Sequence, residues 1–323
     1  MKTKIESGAK MRFINELREG ETIVEHYLCK TKQTLKSRAG KSYYSLKLQD
    51  KTGTVDAKVW DLNNDIKSFD ENDFIKIDGT VLIYNNEPQL NIRKIRKSQD
   101  GEYDPMDYIP SSEKNVDSML QELLGYINTI SDKHIKMLLE EIFLKDETVT
   151  KCFKTHSAAR TMHHSYLGGL VEHTLSVTQI CDFMAGRYKN VNRDLLVATA
   201  MLHDVAKVKE LSQFPLNDYT DDGQLLGHII MGSEMIKDAA AKIDGFPKTL
   251  ESLLKHSILA HHGEYEYGSP ELPKTIEAFI LHCADNMDAK TKAIEEAINS
   301  DTTQGNWVGY QRIMQRNIRK SDF

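Results

Sequence analysis

The chain has 323 residues, a length that fits two domains better than one. Apolar residues make up 40% of it and charged residues 28%, a globular composition that excludes a disordered or fibrous chain. The net charge of −6 excludes a uniformly basic nucleic-acid binder, but residues 1–98 carry +5 and residues 99–323 carry −11. We therefore expect a basic and an acidic domain with different partners.

The cysteine pattern and the apolar stretches limit where the protein works. The four cysteines are isolated, without a C-x-x-C pair, so neither a zinc ribbon nor a disulfide framework is indicated. Residues 1–6 lack the apolar core of a signal peptide. The longest apolar or small stretch, 195–202, is far shorter than the ~20 residues of a membrane span. We expect a soluble cytoplasmic protein with reduced, buried thiols and no membrane partner.

The first hundred residues alternate apolar and polar side chains, which predicts strands. Tyr44, Leu46 and Leu48 alternate with more polar neighbours, and the segment 50–53 has the composition of a hairpin turn. With this strand, the pattern predicts five short strands, the others near residues 23–33, 55–60, 74–84 and 88–95. The polar segment 62–70 after the third strand is a candidate short helix. Five strands with an insertion after the third fit a small closed barrel.

Residues 41–60, with two paired strands and a tight turn, resemble the OB-fold family of nucleic-acid binders. The resemblance implies a five-stranded OB-fold barrel over residues 12–97. On such a surface aromatic rings stack bases and lysines meet phosphates. The expected nucleic-acid-binding residues are Lys30, Lys32, Lys36, Arg38, Lys41, Tyr43, Lys47, Lys58 and Trp60. The alternative interpretation is that Tyr43 and Trp60 cap the barrel and the lysines are ordinary solvated charge.

The rest of the chain reads as helical. Residues 98–114, with Pro105 and Pro110, predict an irregular linker. From residue 115 to 300 the apolar period is that of helices, so we expect an all-α domain. Residues 301–323 form a basic tail. Its segment Trp307 to Lys320 is either an RNA contact or an amphipathic surface helix, and its basic residues are Arg312, Arg316, Arg319 and Lys320.

The histidines carry the chemistry, because ten of the twelve lie between His156 and His282. His203 and Asp204 belong to the stretch 195–208, which is apolar almost all round and predicts a buried helix. A buried histidine beside a buried carboxylate needs partners, which a divalent ion or a satisfied core pairing would provide. Other helices offer matching ligands, and imidazoles with carboxylates suit Mn, Fe, Co, Ni or Zn better than Mg or Ca. These ligands are His173, His228, His261, His262 and Asp285.

The order His173, then His203-Asp204, then Asp285, each on its own helix, resembles the HD-domain superfamily of metal-dependent phosphohydrolases. The resemblance implies that these four residues hold a first metal ion, with Asp204 at its centre.

Four further residues resemble those of the HD proteins that bind two metals. In that subset the positions of His228, His261 and His262 hold the second ion, and the lysine at the position of Lys207 faces the substrate phosphate. A single-metal site is the alternative. The sequence leaves open which of His261 and His262 ligates, because adjacent residues on a helix point about 100° apart.

A basic OB-fold followed by an HD domain, with the segment 163–170 before His173, resembles the bacterial YhaM family of 3′→5′ exoribonucleases. The resemblance implies stepwise hydrolysis of single-stranded RNA, and of single-stranded DNA as a further substrate. It implies two divalent ions, with manganese preferred. The catalytic residues would be Asp204 and Lys207, with the lysine offsetting phosphate charge. His163 and His164 either contact the scissile phosphate or cap a helix.

Two other functions compete with this one. An HD phosphohydrolase of small nucleotides, such as a dNTP or a cyclic dinucleotide, would not need a barrel for single strands. A nucleic-acid-binding regulator with an inactive HD site would have no reason to keep the full ligand set. Self-association is not determined by the sequence.

Overall fold

The structure, a computed structural model, describes residues 12–85, 87–109, 111–112, 114–159, 164, 166–301, 305–311 and 314–321. It divides into two compact units, Met1–Ser111 and Ser112–Phe323. The division falls inside the segment 98–114 that the sequence predicts as a linker. Residues 98–111 count with the first unit, in which Tyr108 and Ile109 are buried. In the part of the chain that is described, no helix is long and apolar enough to cross a membrane.

The first unit is a closed barrel of five strands in the order β1-β2-β3-β5-β4, which confirms the predicted OB-fold architecture. All neighbouring strands are antiparallel except β3 and β5, which are parallel. The strands are β1 (Thr22–Lys36), β2 (Ser42–Asp50), β3 (Gly53–Val59), β4 (Phe74–Tyr84) and β5 (Glu87–Lys97).

The alternation of the sequence determines which side chains fill the barrel. Leu46 and Leu48 of β2 are buried, as are Val55, Ala57 and Val59 of β3. Asp50 pairs with Gly53 at the turn, so the register places Ser45 opposite Lys58. The intervening side chains of both strands therefore face outward, on the surface where nucleic-acid binding is predicted.

The segment 62–70 is not the short helix that its polarity indicates. Asn63 Oδ1 accepts a hydrogen bond from the Asp65 amide at 2.8 Å, which closes a turn. Ile66 then makes a bridge to Ile95 of β5, and Phe69 is fully buried in the barrel core. Local side-chain bonding and one large apolar residue thus hold the segment against the barrel in an extended form.

The described part of the second unit contains nine α-helices, in agreement with the predicted all-α domain. Helix α4 packs against α1, α5 and α9, and α7 packs against α6 and α8. The helices are α1 (Val116–Gly125), α2 (Lys133–Glu140), α3 (Glu147–Thr155), α4 (Gly169–Arg187), α5 (Arg193–Leu202), α6 (Lys207–Glu210), α7 (Asp221–Ala241), α8 (Lys248–Ala260) and α9 (Ile276–Ser300).

The single buried helix predicted over residues 195–208 is interrupted. Helix α5 ends at Leu202, and α6 begins at Lys207. Between them the Val205 amide donates to the Leu202 carbonyl at 3.1 Å, which is the tighter spacing of a turn. His203 and Lys207 therefore do not share one helical face as the spacing predicts. Instead His203 and Asp204 both lie at a break between helices.

The C-terminal segment is a hairpin, not the amphipathic helix that was one of its two interpretations. Strands β6 (Trp307–Gln311) and β7 (Arg316–Arg319) pair antiparallel. At its base Lys320 Nζ is 2.9 Å from Asp301 Oδ2, next to the end of α9. Arg312 lies outside the described residues.

All four cysteines are unpaired, as the absence of C-x-x-C pairs predicts. Cys29, Cys152 and Cys181 are buried. The expectation of buried thiols is wrong for Cys283, which is exposed on α9 beside the exposed Met287.

Candidate metal centre

A first cluster of ligands forms where α4, the α5–α6 turn and α9 meet. His173 Nε2 is 3.2 Å from His203 Nε2 and 3.2 Å from Asp285 Oδ1. Asp204 Oδ2 is 3.6 Å from His173 Nε2 and 3.5 Å from His203 Nε2. Four residues from three separate segments of the chain thus direct one nitrogen or oxygen each toward a common point, as a metal site requires.

A second cluster lies on the other side of Asp204. His228, His261 and His262 each offer a ring nitrogen, and these atoms lie within 4.8 Å of one another. Asp204 Oδ1 is 3.5 Å from His228 Nε2 and 3.9 Å from His261 Nε2. The two oxygens of Asp204 therefore face two different histidine clusters.

Three atoms of this centre are buried without a hydrogen-bond partner among the described residues, namely Asp204 Oδ1, His228 Nε2 and His261 Nε2. A buried polar atom left unpaired costs ~1–3 kcal/mol, and more when it is charged. All three are electron-pair donors that face the same space, so a bound cation would satisfy them together. The residues present fit a divalent metal with affinity for imidazole and carboxylate.

Backbone carbonyls fix the orientation of three of these imidazoles. Nδ1 of His203 donates to the Ala200 carbonyl at 2.8 Å, and Nδ1 of His262 donates to the Tyr267 carbonyl at 2.9 Å. His261 Nδ1 likewise donates to the carbonyl of Ile258 at 2.6 Å. Because the proton is held on Nδ1, the Nε2 lone pair is left for the cluster.

His228 is positioned by a backbone break and by a carboxylate. Gly227 interrupts α7 at φ +74°, a conformation that favours glycine, and a new helical run starts at His228. Glu210 Oε1 accepts from both the amide and Nδ1 of His228, each at 2.9 Å. The sequence reasoning missed Glu210, although its position three residues after Lys207 was an available signal.

Asp288 has the same role for His173 and was also missed. Its Oδ2 accepts from His173 Nδ1 at 2.7 Å, and its Oδ1 accepts from the Ser176 hydroxyl. Its place on α9, one turn after Asp285, puts it on the same helical face as that ligand, but this spacing alone does not show that it contacts His173.

His164 lies next to this pair, in contact with Asp288. Its ring is 2% exposed, with Nε2 3.2 Å from Asp288 Oδ2 and Nδ1 3.0 Å from the Tyr166 hydroxyl. Both ring nitrogens have protein partners, an arrangement that favours a positioning role for His164 over the predicted phosphate contact. The prediction for His163 falls outside the described residues.

At Asp204, His203 and His261 the electrostatics favour the protonation states of metal ligands. At His173 burial opposes protonation, but hydrogen bonds to Asp285 and Asp288 raise the pKa to about 10 in the absence of metal. Burial opposes ionisation of Asp204, but Lys207 and the neighbouring histidines hold its pKa well below the usual range. Burial lowers the pKa of His203, and burial together with His262 lowers the pKa of His261 well below its usual value. An ionised carboxylate beside neutral imidazoles is the donor set that binds a divalent cation.

Both His261 and His262 face the second cluster. Helix α8 ends at Ala260, so the rotation between helical neighbours does not separate the two rings, whose centroids are 4.4 Å apart. Gly263 has φ +77°, and a Cβ there would lie 2.1 Å from the His282 ring. His282 Nδ1 donates to the His261 carbonyl at 3.0 Å, which braces this turn. Each of the two histidines therefore offers one atom that could bind a metal ion, and the geometry does not select one of them.

Lys207 connects the centre to the adjoining cavity. Its Nζ donates to Asp204 Oδ2 at 2.8 Å and to the Ala158 carbonyl at 2.6 Å, and its side chain is 15% exposed. The cavity has a volume of about 620 Å³ and is also lined by Tyr219, Tyr267 and Asn286. A nucleotide would fit there with its phosphate next to the ligands.

On the barrel, an aromatic pair marks the predicted nucleic-acid surface. Tyr43 and Trp60 stack with ring centroids 4.5 Å apart. Lys58 Nζ donates to Ser45 Oγ at 2.6 Å and lies 6.0 Å from the Tyr43 ring centre. Three of the other predicted nucleic-acid-binding residues, Lys36, Arg38 and Lys47, have exposed side chains.

The other predicted cations are not equivalent to these. Lys32 Nζ donates to the Phe69 carbonyl at 2.5 Å and lies 4.2 Å from the Phe69 ring centre, so it stabilises the barrel. Lys41 forms an exposed ion pair with Asp61 at 2.8 Å. Lys30 is half-buried on β1.

Two family models match the chain. Residues 170–290 match the HD domain, and residues 29–97 match the OB-fold nucleic acid binding domain. The first range contains every ligand of both clusters, and the second contains the aromatic pair and its flanking cations.

Two characterised relatives resemble nearly the whole chain. A protein of Geobacillus sp. (strain WCH70) named 3′-5′ exoribonuclease YhaM is 34% identical over 282 residues, which cover 86% of each chain. The protein of the same name from Bacillus subtilis (strain 168) is 34% identical over 282 residues, 86% of this chain and 88% of the relative. The similarity spans both units.

Proposed function

Because the chain belongs to the family of the 3′-5′ exoribonuclease YhaM, we propose that it is a metal-dependent 3′→5′ exoribonuclease. It hydrolyses phosphodiester bonds of single-stranded RNA from the 3′ end and releases nucleoside monophosphates. Single-stranded DNA is a second substrate, because stacking and phosphate contacts do not require a 2′-hydroxyl. A cytoplasmic location belongs to the same proposal.

The observation that supports this proposal most directly is the shared carboxylate of Asp204. Its Oδ2 faces His173, and its Oδ1 faces His228 at 3.5 Å. A carboxylate between two ligand clusters is the arrangement of a centre for two ions that clamp a phosphodiester. We propose manganese as the ion, with cobalt, iron, nickel and zinc as alternatives.

Each residue has a defined task in the proposed reaction. His173, His203 and Asp285 would hold one ion, and His228, His261 and His262 would hold the other, with Asp204 available to both. When bound, such ions stabilise charge on the scissile phosphate and lower the pKa of a water molecule. Lys207 places a positive charge at the cavity wall, where it offsets the negative charge of the non-bridging phosphate oxygens.

The barrel provides the binding surface for the strand. The stacked rings of Tyr43 and Trp60 suit the bases of a flexible single strand, and the exposed Lys36, Arg38 and Lys47 of the same barrel suit its phosphates. A polymer substrate therefore accounts for both units, whereas a small nucleotide accounts only for the second.

The test is a time course with single-stranded RNA labelled at its 5′ end and purified full-length protein in Mn²⁺. We expect a ladder of progressively shorter labelled products, while RNA labelled at its 3′ end releases labelled mononucleotide at once. A panel of Mn²⁺, Co²⁺, Zn²⁺ and Mg²⁺ identifies the ion.

Two variants control this assay. Asp204→Ala removes the carboxylate that both clusters share, so cleavage is lost while RNA binding to the barrel remains. His256→Ala removes another histidine of α8, which accepts a hydrogen bond from the Lys274 amide and lies outside both clusters, so it retains activity. Intact RNA after incubation with folded, metal-loaded protein would refute the proposal.

A further inference from the structure

The C-terminal hairpin presents a stacking surface that neither the metal centre nor the barrel uses. Trp307 of β6 is 60% exposed and Tyr310 is 62% exposed. Among the described residues, neither ring stacks on another aromatic ring or makes a cation–π contact. Large aromatic rings left uncovered on a short sheet mark a contact surface.

The strand register places these rings next to polar and basic side chains. Trp307 is paired with Arg319, and Tyr310 is paired with Asn317. Paired residues of antiparallel strands project to the same side, so an indole and a guanidinium are neighbours. Ile318 lies on the opposite face of β7, where it is 8% exposed and anchors the hairpin. Arg316 begins the strand on that same face, but it is exposed next to the turn, whereas Arg319 shares the face of the aromatic rings. The packed face therefore holds the hairpin in place and leaves the aromatic face to solvent.

The positive charge of the hairpin indicates a negatively charged partner. Residues 305–321 contain four basic and no acidic side chains, although residues 99–323 as a whole carry a net charge of −11. Arg316 Nε donates to the Met314 carbonyl and Arg319 donates to the Lys320 carbonyl, and neither has a carboxylate partner among the described residues. Lys320, by contrast, is paired with Asp301. The two guanidinium groups thus remain suited to bind phosphate oxygens.

We propose that the C-terminal hairpin is a second binding surface for single-stranded RNA, on which Trp307 and Tyr310 stack bases and Arg316 and Arg319 bind phosphates. Exposed aromatic planes beside unpaired guanidinium groups are the combination that single strands need. The inference rests on the proposed function for its ligand, and it extends that function by adding a contact outside the barrel.

The chain offers a direct probe, because its only two tryptophans are Trp60 on the barrel and Trp307 on the hairpin. Trp60→Phe leaves Trp307 as the sole indole, and Trp307→Phe leaves Trp60. Both are studied in full-length protein carrying Asp204→Ala to prevent cleavage, and again without that substitution in chelator. RNA of about 20 nucleotides is long enough to extend beyond one barrel site.

We expect RNA to quench Trp307 in the Trp60→Phe protein, with the midpoint given by anisotropy of the labelled RNA. Arg316→Gln with Arg319→Gln should reduce the slope of log affinity against log salt by about 1.4, for two phosphate contacts on a single strand. Lys151→Gln with Lys248→Gln removes the same charge from exposed lysines paired with glutamates, so its slope should stay that of the parent protein.

Three outcomes would overturn the inference. Trp307 emission that does not change while anisotropy reaches saturation would show that RNA avoids the hairpin. Equal salt slopes for the arginine and lysine variants would do the same. Emission that changes with protein concentration and not with RNA would make the hairpin a protein contact. A different result would refute the proposed function. In that case RNA binds through the hairpin, but wild-type protein in Mn²⁺ never shortens it.

Discussion

Asp288 Oδ2 accepts the Nδ1 proton of His173 at 2.7 Å, while Nε2 of the same ring faces Asp285 Oδ1 at 3.2 Å. The two carboxylates come from one face of α9 and hold one imidazole between them. Asp288 therefore determines which nitrogen of His173 is left for a metal ion.

Asp288→Asn should weaken metal binding without removing a ligand. Loss of a carboxylate that orients a ligating imidazole lowers metal affinity by about 10–100-fold. Cleavage should return as Mn²⁺ is raised, which a titration of activity against Mn²⁺ measures. Glu295→Gln, an exposed position on the same helix, is the matched control and should keep the wild-type midpoint. Equal midpoints for both variants would contradict the role of Asp288.

His228→Ala should prevent binding of one of the two proposed ions and leave the other bound. His228 belongs to the second cluster only, whereas His173 and His203 belong to the first. After saturation with Mn²⁺ and removal of free ion, elemental analysis should find two ions per chain in the wild type and one in the variant. Glu210→Gln, which removes the charge that holds His228 Nδ1, should lower occupancy of the same site. An unchanged stoichiometry in His228→Ala would mean that the second cluster binds no ion.

Metal removal should destabilise the helical unit and leave the barrel unchanged. Without a cation, nothing offsets the cost of burying Asp204 Oδ1, His228 Nε2 and His261 Nε2, which have no hydrogen-bond partner among the described residues. Free Mn²⁺ at 100 times its Kd should stabilise the folded unit by ~2.7 kcal/mol. Scanning calorimetry with and without chelator measures this shift. In Asp204→Ala the Tm should no longer respond to Mn²⁺.

The metal-free protein should lose stability as the pH rises. Burial opposes protonation of His173, but hydrogen bonds to Asp285 and Asp288 raise its pKa to about 10. The folded pKa is above the unfolded value of ~6.5, so this stabilisation is complete below pH ~6.5 and is lost toward pH 10. In chelator, Tm should fall more between pH 7 and 10 in wild type than in His173→Asn. Parallel profiles would contradict the raised pKa.

Tyr43→Ala should weaken RNA binding by ~1–3 kcal/mol, the contribution of one stacked base. The ring is stacked on Trp60, so its loss also releases that partner. Anisotropy of labelled RNA gives the affinity. Phe183→Ala, which removes a 74% exposed ring from α4, is the control and should bind as the wild type does. If Tyr43→Ala and Phe183→Ala lose the same affinity for RNA, the prediction that Tyr43 of the barrel stacks a base is contradicted.

The sequence predicted the barrel and the ligand types because both depend on local patterns. The period-two alternation from Tyr43 to Val59 determines which side chains are buried, whatever the rest of the chain does. His203 and Asp204 lie in an apolar stretch, so their burial and their need for partners were also available from the sequence.

Three features were determined only by tertiary structure. Glu210 and Asp288 are ordinary acidic residues in the sequence, and their roles arise because folding brings them to His228 and His173. His164 is one of ten clustered histidines, and only packing places it next to Asp288, with both ring nitrogens engaged. Long-range partners leave no periodic signal in the chain.

The sequence by itself thus determined the order of the two units, the charge of each and the set of residues able to bind metal. Tertiary structure decided how the shared carboxylate is divided, with Oδ2 of Asp204 toward His173 and Oδ1 toward His228. It also decided that His261 and His262 face the same cluster, because α8 ends at Ala260 and neither histidine is part of the helix. Composition and spacing describe which groups are present, but the direction of a lone pair depends on packing and on hydrogen bonds between distant segments.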